Sequence, residues 1–250
     1  MWGIIPAAGA GTRIQPLAFS KELLPVGGSP EGLVHRPRAV SEYILERMTI
    51  GGADKICFVV APGKSDILEY YGRRQSGVSI CFAVQPEPVG LCDALFRAAP
   101  FIPEEETVCI GLPDTIWYPE SALLSLPSDA LSFLTFPVDH PEFFDAVFSG
   151  PSGKVIRIEV KQKQPSTNWV WGAFKMPGTV FQELFQLWNA RGRRDEYIGP
   201  LVNHYLENGG SACAVPAGEQ YIDVGTFDGY REAVHLLGFG SRPATAGASR

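Results

Sequence analysis

The sequence predicts an α/β fold: a Rossmann-like, mixed but mainly parallel sheet flanked by helices, with antiparallel strands added in its second half. Three observations carry this expectation. Short apolar runs alternate with stretches of helical periodicity between residues 2 and 112, turn residues follow those runs, and beyond Pro119 the runs succeed one another without intervening helices. Strand-helix alternation implies parallel pairing through right-handed crossovers, whereas strands joined by short turns imply antiparallel pairing.

The first run, residues 2–8, is too short for a helix and ends in glycines, as a buried strand entering a tight turn would. After Val26, a Gly/Pro-rich stretch through Pro30 reads as a loop. Ala39, Val40, Tyr43, Ile44 and Met48 then sit at helical spacing up to a stop at Gly51-Gly52. Residues 56–61, 78–84 and 107–112 read as strands, with helices at 65–71 and 91–98 between them. In the second half, 130–138, 145–149, 154–161 and 170–176 read as strands, with a hairpin-like turn at 149–153. Helices follow at 179–190 and 197–208, the latter stopped by Gly209-Gly210. Short strands at 212–216 and 219–224 and a helix at 227–237 close the chain. The expected organisation is one domain over residues 1–240, made of two halves (1–118 and 119–240), and a disordered tail (241–250).

Composition fits a folded domain: hydrophobic residues make up 45% and charged residues 19% of the 250. A net charge of −6 with scattered basic residues argues against a nucleic-acid partner. No apolar run approaches the ~20 residues of a membrane span. The chain starts on a strand with no basic segment before it, so a cytoplasmic protein without membrane association is expected. Cys57, Cys81, Cys92, Cys109 and Cys213 are odd in number and never spaced Cys-x-x-Cys, which favours buried thiols over disulfides or zinc ligands.

The most informative stretch runs from Ile4 to Val26. Gly9 and Gly11 let the backbone adopt positive φ and approach a ligand, so that N–H groups near Ala8 and Thr12 converge on an anion. Arg13 adds a forked permanent charge suited to phosphate oxygens, and Lys21 a compact one. No Gly-Lys-Ser/Thr follows, which excludes a P-loop, and the third glycine of a dinucleotide fingerprint is absent.

Gly9, Gly11, Thr12, Arg13, Pro16, Ser20, Lys21, Leu24, Pro25 and Val26 together resemble the signature of the sugar-1-phosphate nucleotidylyltransferases. The segment between Pro16 and Lys21 is shorter than in that family. Gln85 through Leu91, with Gly90, is similar to the family's Gln-Pro…Gly-Leu segment, whose glutamine contacts the base. An amide supplies a donor and an acceptor side by side, as the edge of uracil or thymine requires.

The resemblance implies that Asp114 and Asp223 bind one Mg²⁺. It further implies that Lys161 holds the phosphate of the sugar, and that Asp145, Val160, Trp171 and Gly172 stand on the sugar side. Asp145 occupies the place of a family glycine and Val160 that of a glutamate that binds sugar hydroxyls, so the sugar side is altered while the phosphate side matches. The implied reaction is Mg²⁺-dependent nucleotidyl transfer from a nucleoside triphosphate, dTTP or UTP favoured, to a sugar 1-phosphate or another phosphorylated alcohol. Arg13, Lys21, Asp114 and Asp223 would be the catalytic residues. Plain glucose 1-phosphate is expected to be a poor acceptor. A non-catalytic nucleotide- or sugar-nucleotide-binding regulator is the alternative reading, and homo-oligomerisation stays open.

Overall fold

The chain opens with strand β1 (Trp2–Pro6), passes through a hairpin of β2 (Pro25–Glu31) and β3 (Val34–Ala39), and enters helix α1 (Val40–Ile50). The computed structural model describes residues 1–31, 34–72 and 77–238; the tail at 241–250 lies outside the described residues. The stretch expected to be a loop after Val26 is thus a strand. Its glycines and prolines hide the pairing, which is imposed by packing: at Gly27, with φ +65°, an added Cβ would stand 2.9 Å from the Tyr43 hydroxyl and 3.0 Å from the Leu237 carbonyl oxygen.

Next come β4 (Lys55–Val60), α2 (Ser65–Gly72), β5 (Ser79–Val84), α3 (Leu91–Phe96), β6 (Thr107–Gly111) and β7 (Thr115–Tyr118). Four strands follow, β8 (Leu131–Pro137), β9 (Asp145–Ser149), β10 (Val155–Val160) and β11 (Trp169–Pro177), then helices α4 (Gly178–Ala190) and α5 (Ile198–Glu207). The chain closes with β12 (Ala212–Val215), β13 (Gln220–Asp223) and α6 (Phe227–Leu237).

The large sheet runs β10-β9-β11-β6-β1-β4-β5, with β8 on β11 and β12 on β8. β1 pairs in parallel with β4 and β6, and β4 with β5. From β6 onward the pairing with β11, and of β11 with β8 and β9, is antiparallel, and β9 and β10 form the hairpin expected at 149–153. The parallel strands read as continuous apolar runs because both faces are covered. Neighbours Ile4 and Ile5 are both fully buried, yet they join different layers. Ile4 packs with Phe96, Phe181 and Trp188, and Ile5 with Ile44, Met48 and Phe58. Each such buried side chain contributes roughly 1.5–3 kcal/mol. All four parallel strands end at one edge, where ligands bind in open α/β sheets.

Strand β7 has no counterpart in the pattern read from the sequence, and it matters most for the site. Residues 115–118 are Thr-Ile-Trp-Tyr, strong strand formers between two prolines, but too few for periodicity to reveal. β7 pairs antiparallel with β13, Thr115 opposite Asp223, as a separate two-stranded sheet. The Val224 N–H donates to the Asp114 carbonyl at 2.8 Å.

Candidate active site

Four side chains meet at the edge where the parallel strands end. Asp114 follows β6 and Asp223 ends β13, and the β7–β13 pairing sets their backbones side by side. Lys21 Nζ donates to Asp114 Oδ2 at 2.5 Å, and Arg13 Nη1 to Asp223 Oδ2 at 2.8 Å. Gly225 makes room for them. A Cβ there would stand 2.5 Å from Asp114 Oδ2, 2.9 Å from Asp223 Oδ1 and 3.1 Å from Arg13 Nη2.

The electrostatics follow from burial and pairing. Burial works against the Asp114 carboxylate, but Lys21 outweighs it and holds the group below the usual carboxylate range. The converse holds for Lys21, whose ammonium is disfavoured by burial and raised by Asp114. Burial disfavours the Arg13 guanidinium, whose side chain is 56% exposed, but the charge and hydrogen bond of Asp223, with Asp114 adding to them, raise it above its ordinary value. Tyr221, behind the two aspartates, is pushed well up by burial and by Asp223 and Asp114, so its phenol stays neutral.

The short connection between Pro16 and Lys21 still delivers the lysine. Residues Lys21–Leu23 form a single 3-10 turn. Ser20 anchors it from below, with its N–H and Oγ donating to the two oxygens of Asp66 at 2.6 and 2.7 Å. Gly11 adopts φ +67°, and a Cβ there would press on Lys21 Cδ at 2.8 Å. Gly9 departs from expectation: its φ is not positive, and a Cβ would meet nothing within 4 Å.

Gln85, after β5, is buried and turned inward. Its amide nitrogen donates to Gly90 O and Asp93 Oδ2, each at 3.0 Å. Both partners are acceptors, so the donor half of the amide is engaged within the protein, and the donor-acceptor pair expected for a base edge is not presented. Gly90, with φ +111°, lies against Glu196, where a Cβ would clash with Cγ at 2.4 Å.

A cavity of about 1140 Å³ extends from Arg13, Asp114 and Asp223 to Asp145, Lys161, Trp171 and Tyr197. Lys161 has φ +43°, a strained value for a non-glycine residue, and its Nζ stands 4.6 Å from the centre of the Tyr197 ring. Burial pushes the Asp145 carboxyl up to about 6, against the pull of Lys161 and of the Trp171 indole.

Two residues expected on the sugar side are absent from the cavity wall. Val160 packs against α5, where a Cβ on Gly199 would meet Val160 Cγ2 at 2.5 Å. Gly172 is covered by the Phe136 and Tyr221 rings, 2.6 and 2.7 Å from where its Cβ would be. Val160 shares the face of Asp145, its partner in the β9–β10 pair, but α5 packs over it, whereas Gly172 faces away from its neighbour Trp171; motif matching alone registers neither.

Three contributors lay outside the sequence reading. Tyr197 and Tyr221 line the cavity, and Lys64 ties the glycine turn from beneath. The signal for Lys64 is its position just past β4, at the edge where the parallel strands end.

Asp114 and Asp223 together fit a hard divalent cation. Both are oxygen donors facing the space over Gly225, and no group of three or more His, Cys, Asp or Glu residues suited to a metal occurs among the described residues. A site of two carboxylates completed by substrate phosphate and water suits Mg²⁺ rather than an all-protein cage. The cysteines are free, with Cys57, Cys92 and Cys109 buried. Among the described residues no helix is long and apolar enough to cross a membrane.

A family model described as Nucleotidyl transferase matches residues 2–238. The chain is 31% identical to glucose-1-phosphate thymidylyltransferase of Neisseria meningitidis, over 95% of this chain and 82% of that protein. It is 24% identical to the UTP–glucose-1-phosphate uridylyltransferase AglF of Haloferax volcanii, over 95% and 96%. A Bacillus anthracis structure assigned as a glucose-1-phosphate thymidylyltransferase, solved with sucrose, superposes with a TM-score of 0.79 at 26% identity, covering 96% of this chain and 97% of that one. A UTP-bound UGPase of Acinetobacter baumannii shares the fold, with a TM-score of 0.75 at 22% identity over 95% and 93% of the two chains.

Proposed function

The chain belongs to the nucleotidyl transferase family, and on that premise we propose that it transfers a nucleotidyl group from a nucleoside triphosphate, dTTP or UTP in preference, to a sugar 1-phosphate or a related phosphorylated alcohol. The observation that carries this reading is the meeting of Arg13, Lys21, Asp114 and Asp223 beside a glycine turn, at one end of a cavity large enough for two substrates. A phosphate oxygen of the acceptor attacks the α-phosphorus of the triphosphate. The new P–O bond forms as the bond to the β-phosphate bridge breaks, and pyrophosphate leaves.

Such a reaction is carried by positioning and charge neutralisation, with no covalent intermediate on the protein. Arg13 neutralises the triphosphate and the leaving pyrophosphate, and Lys21 the α-phosphate. Lys161, at the far end of the cavity, holds the acceptor phosphate. Asp114 and Asp223 would hold Mg²⁺, which when bound supplies charge neutralisation between the phosphates.

With Val160 packed away from the cavity, Asp145 is the feature that distinguishes the acceptor end. A half-buried carboxylate among aromatic rings favours an acceptor bearing an amine over one bearing only hydroxyls. The test is a screen of nucleoside triphosphates against sugar 1-phosphates, amino-sugar 1-phosphates and phosphorylated amino alcohols, read as pyrophosphate. Turnover with an amine-bearing acceptor above that with glucose 1-phosphate supports the reading; no pyrophosphate with any pair rejects catalysis and favours the regulator.

A further inference from the structure

Lys64 makes an unusual set of contacts for a lysine just past a strand. Its Nζ donates to the carbonyl oxygens of Ala7 and Gly9, both at 2.7 Å, and lies 2.8 and 3.0 Å from the two carboxylate oxygens of Glu22. The lysine side chain is 14% exposed and that of Glu22 1%. An ammonium has three N–H donors, and these four acceptors use them all, so Lys64 has none to offer a substrate. Replacing such a pair by apolar side chains is often neutral or stabilising, so stability alone does not account for it.

Its geometric effect is specific. The peptide bonds between Ala7 and Ala8 and between Gly9 and Ala10 are trans. In a trans peptide the carbonyl and the N–H point to opposite sides. Drawing the Ala7 and Gly9 carbonyls down onto one ammonium therefore turns the Ala8 and Ala10 N–H groups up, toward the open side of the turn. Among the described residues neither N–H has a protein acceptor, although Ala8 is only 2% exposed. A buried N–H without a partner, as at Ala8, is rare in folded proteins, and successive N–H groups of one turn that face the same way can converge on an anion. Glu22 adjoins Lys21 in the 3-10 turn, so the same contact fixes the Lys21 segment against the glycine turn.

We infer that Lys64, braced by Glu22, is a positioning residue for the triphosphate: it sets the peptide orientations that aim the glycine turn's N–H groups at the phosphates. The inference rests on the reading of that turn as the nucleotide grip.

The experiment measures equilibrium binding of ATP, CTP, GTP, UTP and dTTP with Mg²⁺ to the wild type, Lys64→Met, Lys64→Arg and Glu22→Gln, together with pyrophosphate release while each substrate is varied. Lys64→Met is expected to weaken binding of the preferred nucleotide at least ~10-fold with the acceptor KM within about twofold, and Lys64→Arg to restore most of the loss. Should Lys64→Met not fold, Glu22→Gln keeps the shape of the contact, and a nucleotide-specific loss of about 5-fold is expected there. Unchanged nucleotide affinity in a folded Lys64→Met or Glu22→Gln, or equal losses for nucleotide and acceptor, overturns the inference. A wild type that binds none of the five nucleotides overturns the grip reading along with it.

Discussion

The two ends of the cavity hold their charges differently. At the glycine-turn end, Lys21 is bonded to Asp114, Arg13 to Asp223 and Lys64 to Glu22. At the other end Asp145 and Lys161 form no ion pair among the described residues, and Lys161 rests over a tyrosine ring. A charge already fixed by a protein partner is preorganised, and it acts on the transition state without reorganising. A charge without a fixed partner takes its partner from the ligand, so it governs which ligand binds. Substitutions at the first end should therefore lower rate, and those at the second should shift preference.

The largest effects are expected at the aspartates. Asp114→Asn and Asp223→Asn should each bring pyrophosphate release to background, and the Mg²⁺ dependence of nucleotide binding should vanish in both, as titration of Mg²⁺ against fixed nucleotide would read. If either variant retains wild-type turnover, the carboxylate pair is not part of the reaction.

Next are the cations. Arg13→Ala and Lys21→Ala should each lower turnover at least ~10²-fold, the scale of a lost preorganised charge at a transition state. Lys21→Ala also leaves Asp114 buried without its partner, and breaking a buried pair costs about 3–5 kcal/mol. Its melting temperature should therefore fall while that of Arg13→Ala, whose pair is solvent-screened, stays near wild type.

Much of this first end was legible in the sequence, because its cations are local: Arg13 and Lys21 stand close together in the chain beside the glycine turn, and the structure brings both to the aspartates. What joins Asp114 to Asp223 was not legible as geometry. It depends on β7, a four-residue strand pairing with a segment more than a hundred residues away. The second end was legible only in part. Lys161, Asp145 and Trp171 do line the cavity, whereas Val160 and Gly172 do not, because facing is decided by register and by what packs behind. The one mark Lys64 leaves in the sequence is its place just past β4, since the carbonyls it bonds are main-chain groups that any sequence would supply.

A smaller effect is expected at Asp145. Its carboxyl is pushed up to about 6, so it is ionised above that pH and neutral below it. Pairing with an amine needs the ionised form, and the acceptor KM should therefore rise as pH falls from 7 to 5. The acceptor phosphate also gains a proton near pH 6. Asp145→Asn should keep only that phosphate component and lose preference for the amine. A pH profile unchanged by Asp145→Asn would remove Asp145 from the acceptor site.

The smallest effect is expected at Val160. Because it packs on Gly199 and not on the cavity, Val160→Glu should leave acceptor preference within about twofold and cost roughly 1–3 kcal/mol of stability from overpacking. A strong turn toward glucose 1-phosphate in that variant would mean that the strand faces the ligand differently.

The division between the two ends is tested most directly by Lys161→Ala, with nucleotide affinity measured by equilibrium binding and acceptor KM by pyrophosphate release. Removing a charge-assisted bond to the acceptor phosphate should raise the acceptor KM at least ~10-fold while nucleotide affinity stays within about twofold. Equal losses of nucleotide and acceptor binding would contradict the division.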